Sequence, residues 1–125
     1  MKLRFALIAV AATTVAALQV IDVTSAKADG AMAVGKCENI GWATHRDIRV
    51  ARRNALAACR KDGDTTCKIV ATTIDACAAI AISGTKCGSR GWGTGPTQKK
   101  AEAVALENCA RYGGKECTIR KWVCS

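Results

Sequence analysis

The chain has 125 residues, with 19 Lys or Arg against 10 Asp or Glu, eight cysteines and a single histidine. That length leaves room for one domain, and the positive charge is spread without a basic tail or arm, so nothing marks a specific nucleic-acid partner. Half of the residues are hydrophobic but only 4% are aromatic, which implies a core built largely from small side chains.

The opening stretch MKLRFALIAVAATTVAALQV sets Lys2 and Arg4 ahead of an apolar run, and small residues at Ala26 and Ala28 follow it. This is the pattern of a secretory signal peptide over residues 1–28 with an A-x-A exit. A membrane anchor needs about 20 strongly apolar residues, and this Ala- and Thr-diluted run falls short. Cleavage after Ala28 would leave residues 29–125 as a single domain with 16 basic and 9 acidic side chains, a net charge of +7.

All eight cysteines follow the leader, and an even count in a small exported chain predicts a disulfide framework and a secreted or periplasmic location. The need is physical. Alanine buries little area at roughly 25 cal/mol per Å², whereas each bridge contributes about 2 to 4 kcal/mol.

From Cys37 onward the chain matches itself at a shift of fifty. CENIGW (Cys37–Trp42) meets CGSRGW (Cys87–Trp92), and 11 of 38 ungapped positions agree, among them Gly41/Gly91, Cys59/Cys109 and Cys67/Cys117. Two units, about 31–74 and 77–124, follow from this. In the first, Ala31–Val34 and Ile40–Thr44 predict strands around a turn, and Ile48, Ala51, Ala55 and Cys59 at three- and four-residue steps predict a helix over 47–60 with Asp47 as N-cap. KDGDTT is a tight turn, and the β-branched CKIVATTI over 67–74 predicts a strand.

The second unit repeats this order with strands over 77–82 and at RGWGTG, a helix over 97–112 and a strand over 117–124. Each unit therefore reads ββαβ. The expected class is α+β: one disulfide-stapled, pseudo-symmetric domain with two helices packed on a mainly antiparallel sheet.

Cys59 closes a helix and Cys67 opens a strand after a seven-residue turn, which predicts a Cys59–Cys67 bridge, and the copy predicts Cys109–Cys117. Three pairings of the other four cysteines are compatible with a two-fold swap, so symmetry does not choose among them. We favour Cys37–Cys87 with Cys77–Cys124, as bridges tying the two units together.

The GW strand, the helix ending ALAAC, then DACAAIAI, GWGTGPTQKKAEAVALENC and CTIRKWVC resemble the bacterial exported family known as domain of unknown function 4189, over about residues 31–124. The resemblance implies that Cys59, Cys67, Cys77, Cys109, Cys117 and Cys124 belong to the shared cysteine pattern. Cys37 and Cys87 would then be an additional pair, which supports the favoured connectivity. It supplies no catalytic residues.

Consecutive cysteines stand 7 to 22 positions apart and no CxxC occurs, so neither a zinc site nor a thioredoxin-like motif is expected, and no cofactor is called for. His45 is the default general base if the chain were a small hydrolase, but Gly95 occupies its place in the second unit and Ser83, Ser89 and Ser125 lie in no G-x-S-x-G setting. GWGTGPT precedes a helix as a phosphate-binding loop would, without G-x-G-x-x-G spacing. Asp62 and Asp64 belong to the turn.

The most suggestive surface feature is Arg49, Arg52, Arg53 and Arg60, within about 100° of one another around the first helix. Arginine suits phosphate forks. The expected function is thus binding, not catalysis, with an anionic envelope or host component or an unidentified protein as partner and at most peripheral membrane contact. The alternatives are the His45 hydrolase and a cationic membrane-active protein.

Overall fold

A computed structural model describes residues 27–125 apart from Lys86, so the expected leader lies almost wholly outside the described residues. β1 (Asp29–Val34) and β2 (Ile40–His45) form a hairpin. α1 (Ile48–Cys59) and a short 3-10 turn (Arg60–Asp62) follow, and β3 (Lys68–Ile74) returns beside β1. The second half has the same order: β4 (Cys77–Ser83), β5 (Arg90–Gly95), α2 (Gln98–Arg111) and β6 (Cys117–Cys124).

Local chemistry explains the helix boundaries. The Asp47 carboxylate accepts from the Arg49 amide at 2.9 Å and the Thr97 hydroxyl from the Lys100 amide at 3.2 Å, so each helix has an N-cap that satisfies one otherwise unpaired donor. Beyond the C-termini, Gly63 and Gly113 take left-handed φ values of 80° and 86° and turn the chain away.

The sheet differs from the expectation. There are two three-stranded antiparallel sheets, ordered β2-β1-β3 and β5-β4-β6, in place of one. The central strands show why. On β1, Ala31 and Ala33 pack against α1 while Met32 and Val34 join the opposite layer; on β4, Ala79 and Ala81 pack against α2 while Ala78 and Ile80 face the other way. A strand apolar on both faces needs a cover on each. The sheets supply it to one another, and the fold is layered helix, sheet, sheet, helix.

The layers differ in composition. Helix and sheet meet through Ala31, Ala33, Ala51, Ala55 and Cys59 in one half and Ala79, Ala81, Ala101, Ala105 and Cys109 in the other. The sheets meet through the larger Met32, Val34, Ile80 and Val123, with Trp92 packed alongside. Glycine lets the first kind of layer be thin: a Cβ on Gly41 would collide with the Ala55 carbonyl and the Cys59 amide, and one on Gly91 with the Cys109 amide. The repeated Gly-Trp is thus explained by its glycine, where strand and helix backbones touch.

Register adds detail hidden in the sequence. Val34 pairs with Ile40 but Ile82 with Arg90, so the second hairpin connection is longer by two residues, and Met32 corresponds to Ile80 and Val34 to Ile82 at a shift of 48. Both central strands carry a bulge against their last strand, between Met32 and Ala33 and between Ile80 and Ala81.

Four disulfides close the structure: Cys37–Cys87, Cys59–Cys67, Cys77–Cys124 and Cys109–Cys117. Cys59–Cys67 and Cys109–Cys117 each clip a helix end to the start of the next strand. Cys77 and Cys124 are directly paired across β4 and β6, so their bridge lies within the second sheet and does not tie the two units, contrary to expectation. Only Cys37–Cys87, between the two hairpin connections, crosses from one half to the other.

Candidate functional site

α1 exposes one basic face. Arg52 and Arg53, with Arg60 in the 3-10 turn that continues α1, are exposed and belong to none of the ion pairs found among the described residues, while Ala51, Ala55 and Cys59 on the other side are buried. Arg49 behaves differently. Its guanidinium folds back on the N-cap, with Nη2 2.9 Å from Asp47 Oδ2 and Nε 3.2 Å from Oδ1. These bonds from Arg49 lead the causes that lower the Asp47 pKa to about 2, so the pair carries no net charge. The expected four-arginine stripe therefore offers three free cations.

The other sequence candidates have structural work to do. His45 is exposed at the end of β2, and its Nδ1 accepts from the Asp47 amide at 3.0 Å, beside the helix cap. The Ser125 hydroxyl is engaged with the Ala76 backbone. In GWGTGPT, a Cβ on Gly93 would approach the Ala105 amide to 2.6 Å and one on Gly95 the Lys100 Cβ to 2.8 Å, so these glycines allow β5 to approach α2 closely. Among the described residues no group of three or more His, Cys, Asp or Glu side chains could hold a metal ion.

Asp64 is the buried member of the KDGDTT turn. It accepts from the Lys36 amide (2.6 Å), Asn39 Nδ2 (2.9 Å), the Thr66 amide (2.8 Å) and the Thr66 hydroxyl (2.6 Å). Thr66's hydroxyl first, then Asn39 and the backbone amides, hold its carboxyl well below the usual carboxylate range. Asp64 thereby latches the β1–β2 connection to the turn before β3.

That latch shapes a cleft the sequence reading missed. It encloses about 290 Å³ and is lined by Val34, Gly35, Lys36, Thr66, Lys68, Arg90 and Trp92, from both halves of the molecule. Arg90 reaches across from β5, its Nη1 donating to the carbonyl of Gly35 and, at 3.4 Å, to that of Cys37. Lys36 and Lys68 are exposed on the first half. No run of sequence carries this cluster. The signal available was a mismatch between the copies, with Ile40 where the second has Arg90 and Thr118 where the first has Lys68.

A profile of the family described as Domain of unknown function (DUF4189) matches residues 29–124. The chain belongs to the DUF4189 family. No curated protein matches it. A solved structure, the NMR structure of Rv1813c from Mycobacterium tuberculosis, is similar in fold with a TM-score of 0.57 and 21% identity, covering 100% of this chain and 98% of that one. All eight cysteines of the chain are bridged, which fits an oxidising, extracytoplasmic compartment. No helix among the described residues is long and apolar enough to cross a membrane.

Proposed function

We propose that this DUF4189 chain is a secreted or periplasmic basic binding module that docks through the exposed face of α1 on an anionic component of the envelope or of a host. The observation that carries this reading is the set of three guanidinium groups, Arg52 and Arg53 on α1 and Arg60 in the 3-10 turn at its end, presented without carboxylate partners among the described residues opposite a buried helix face. A leader ending at Ala28 accords with it, since β1 starts at Asp29. The shared element order, caps and bulges support reading the halves as two versions of one unit.

Co-sedimentation with phosphatidylglycerol vesicles tests the reading. A cation near an anionic membrane surface contributes about 1 kcal/mol, so replacing Arg52, Arg53 and Arg60 together by glutamine should weaken binding by roughly a hundredfold, and raising the salt should weaken binding of the native chain. Replacing Arg49 and Asp47 together, Arg49→Gln with Asp47→Asn, should change binding much less, because that removes a pair with no net charge. Binding indifferent to salt and to the triple substitution would rule the reading out.

A further inference from the structure

We propose that the cleft between the two halves binds one phosphate ester of a small polyol, a sugar phosphate or a lipid headgroup, at a single site per chain. This site is separate from the α1 face. Lys36, Lys68 and Arg90 come from three different elements, the β1–β2 connection, β3 and β5, and line one cleft of about 290 Å³. None of the three belongs to the ion pairs found among the described residues. The carboxylate latched beside them, Asp64, turns both oxygens to the Lys36 amide, Asn39 and Thr66.

Three like charges gathered in one concavity repel each other and favour an anion there. Arg90 is held by main-chain carbonyls, so its orientation is fixed while its charge stays unneutralised. A fixed guanidinium gives an oxyanion a planar fork, and the lysines add mobile point charges. Trp92, half-buried in the same wall, supplies an apolar surface for the body of the ligand. The volume lies at the low end for ligand sites, about 300 to 1,000 Å³, which suits a headgroup or one phosphorylated sugar and not a polymer. The disulfide Cys37–Cys87 and the Asp64 latch pre-form the wall carrying Lys36, so little ordering opposes binding. At a shift of fifty the other half holds Ile40, Glu116 and Thr118 in place of Arg90, Thr66 and Lys68, so two of the three cations have no counterpart there and the expected stoichiometry is one.

The test is an NMR titration of the oxidised chain with inorganic phosphate and with glycerol 3-phosphate. Saturable shifts at the Trp92 indole and the Gly35 and Lys36 amides, with a dissociation constant on the order of 1 mM, are expected. Lys68→Gln should weaken them about tenfold without changing the thermal unfolding midpoint, Lys36→Gln should act likewise, and glutamine at Arg52, Arg53 and Arg60 should leave them unchanged. That last arm separates failure of this site from failure of the α1 reading. Displacement of phosphate from Trp92 by phosphatidylglycerol vesicles, but not by phosphatidylcholine vesicles, would identify a headgroup as the source; binding of the soluble ester alone would identify a free metabolite. Shifts that never saturate, that spread over the whole cationic surface, or that persist in Lys68→Gln would overturn the proposal.

Discussion

Gly91 sits where β5 passes under α2, and a methyl group there would meet the Cys109 amide and, at 2.6 Å, the Asn108 carbonyl carbon. The helix backbone cannot yield locally, because Ala101, Ala105 and Cys109 already rest fully buried on the sheet. Gly91→Ala should therefore cost about 3 kcal/mol, at the upper end for overpacking, as measured by chemical denaturation. Thr73 predicts the opposite sign. It is 2% exposed, its hydroxyl has no hydrogen-bond partner, and β6 places Val123 at the matching position, paired with Ala78 as Thr73 is with Gly30. Removing a buried, unsatisfied hydroxyl while keeping the shape should raise stability, so Thr73→Val is expected to gain about 1 kcal/mol, read from the shift in unfolding midpoint.

At the scale of elements, the β1–β2 connection carries polar contacts between the halves as well as a latch within the first half. Asp64 latches it, Arg90 donates to two of its carbonyls, Glu38 lies 3.4 Å from Arg120 Nε on β6, and Cys37 is bonded to Cys87. Asp64 gives this junction a pH dependence. Its carboxyl titrates below its unfolded value of about 3.8, so the folded chain binds fewer protons than the unfolded one in acid. The resulting stabilisation is complete above roughly pH 5 and is lost as pH falls through the unfolded value toward the lower folded one. The native unfolding midpoint should fall on acidification from roughly pH 5 to pH 2, with Asp47 contributing in the same direction, and Asp64→Asn should flatten the profile while lowering the plateau. Equal slopes for the two chains would show that the latch does not govern acid stability.

How much could be read in advance depended on the range of the interaction. Asp47 and Thr97 set helix starts through bonds to residues two or three away, and Ala51, Ala55 and Cys59 recur at helical spacing, so both helices are visible in the chain within a residue or two. The division into two sheets was not visible. It rests on Met32, Val34, Ala78 and Ile80 finding cover across the molecule, and an unbroken apolar strand has the same pattern in one sheet as in two. The arginine face was legible because it lies on α1 and the 3-10 turn that directly continues it, except that Arg49 turns back on its own cap. The cleft was not, because Lys36, Lys68 and Arg90 meet only once the halves pack.

For the molecule as a whole, the two halves are held together by a sheet-to-sheet layer of moderate side chains, by the polar junction and by one covalent link. With cores this rich in alanine, hydrophobic burial leaves little margin, and the four bridges fit an oxidising compartment. The most direct measurement is non-reducing peptide mapping, with N-terminal sequencing, of the protein recovered from outside the cytoplasm. The account predicts a chain beginning at Asp29, no free thiol, and Cys37–Cys87 as the only bridge between the halves. Recovery of Cys37 or Cys87 as free thiols, or of Cys77 bonded to a cysteine of the first half, would contradict it.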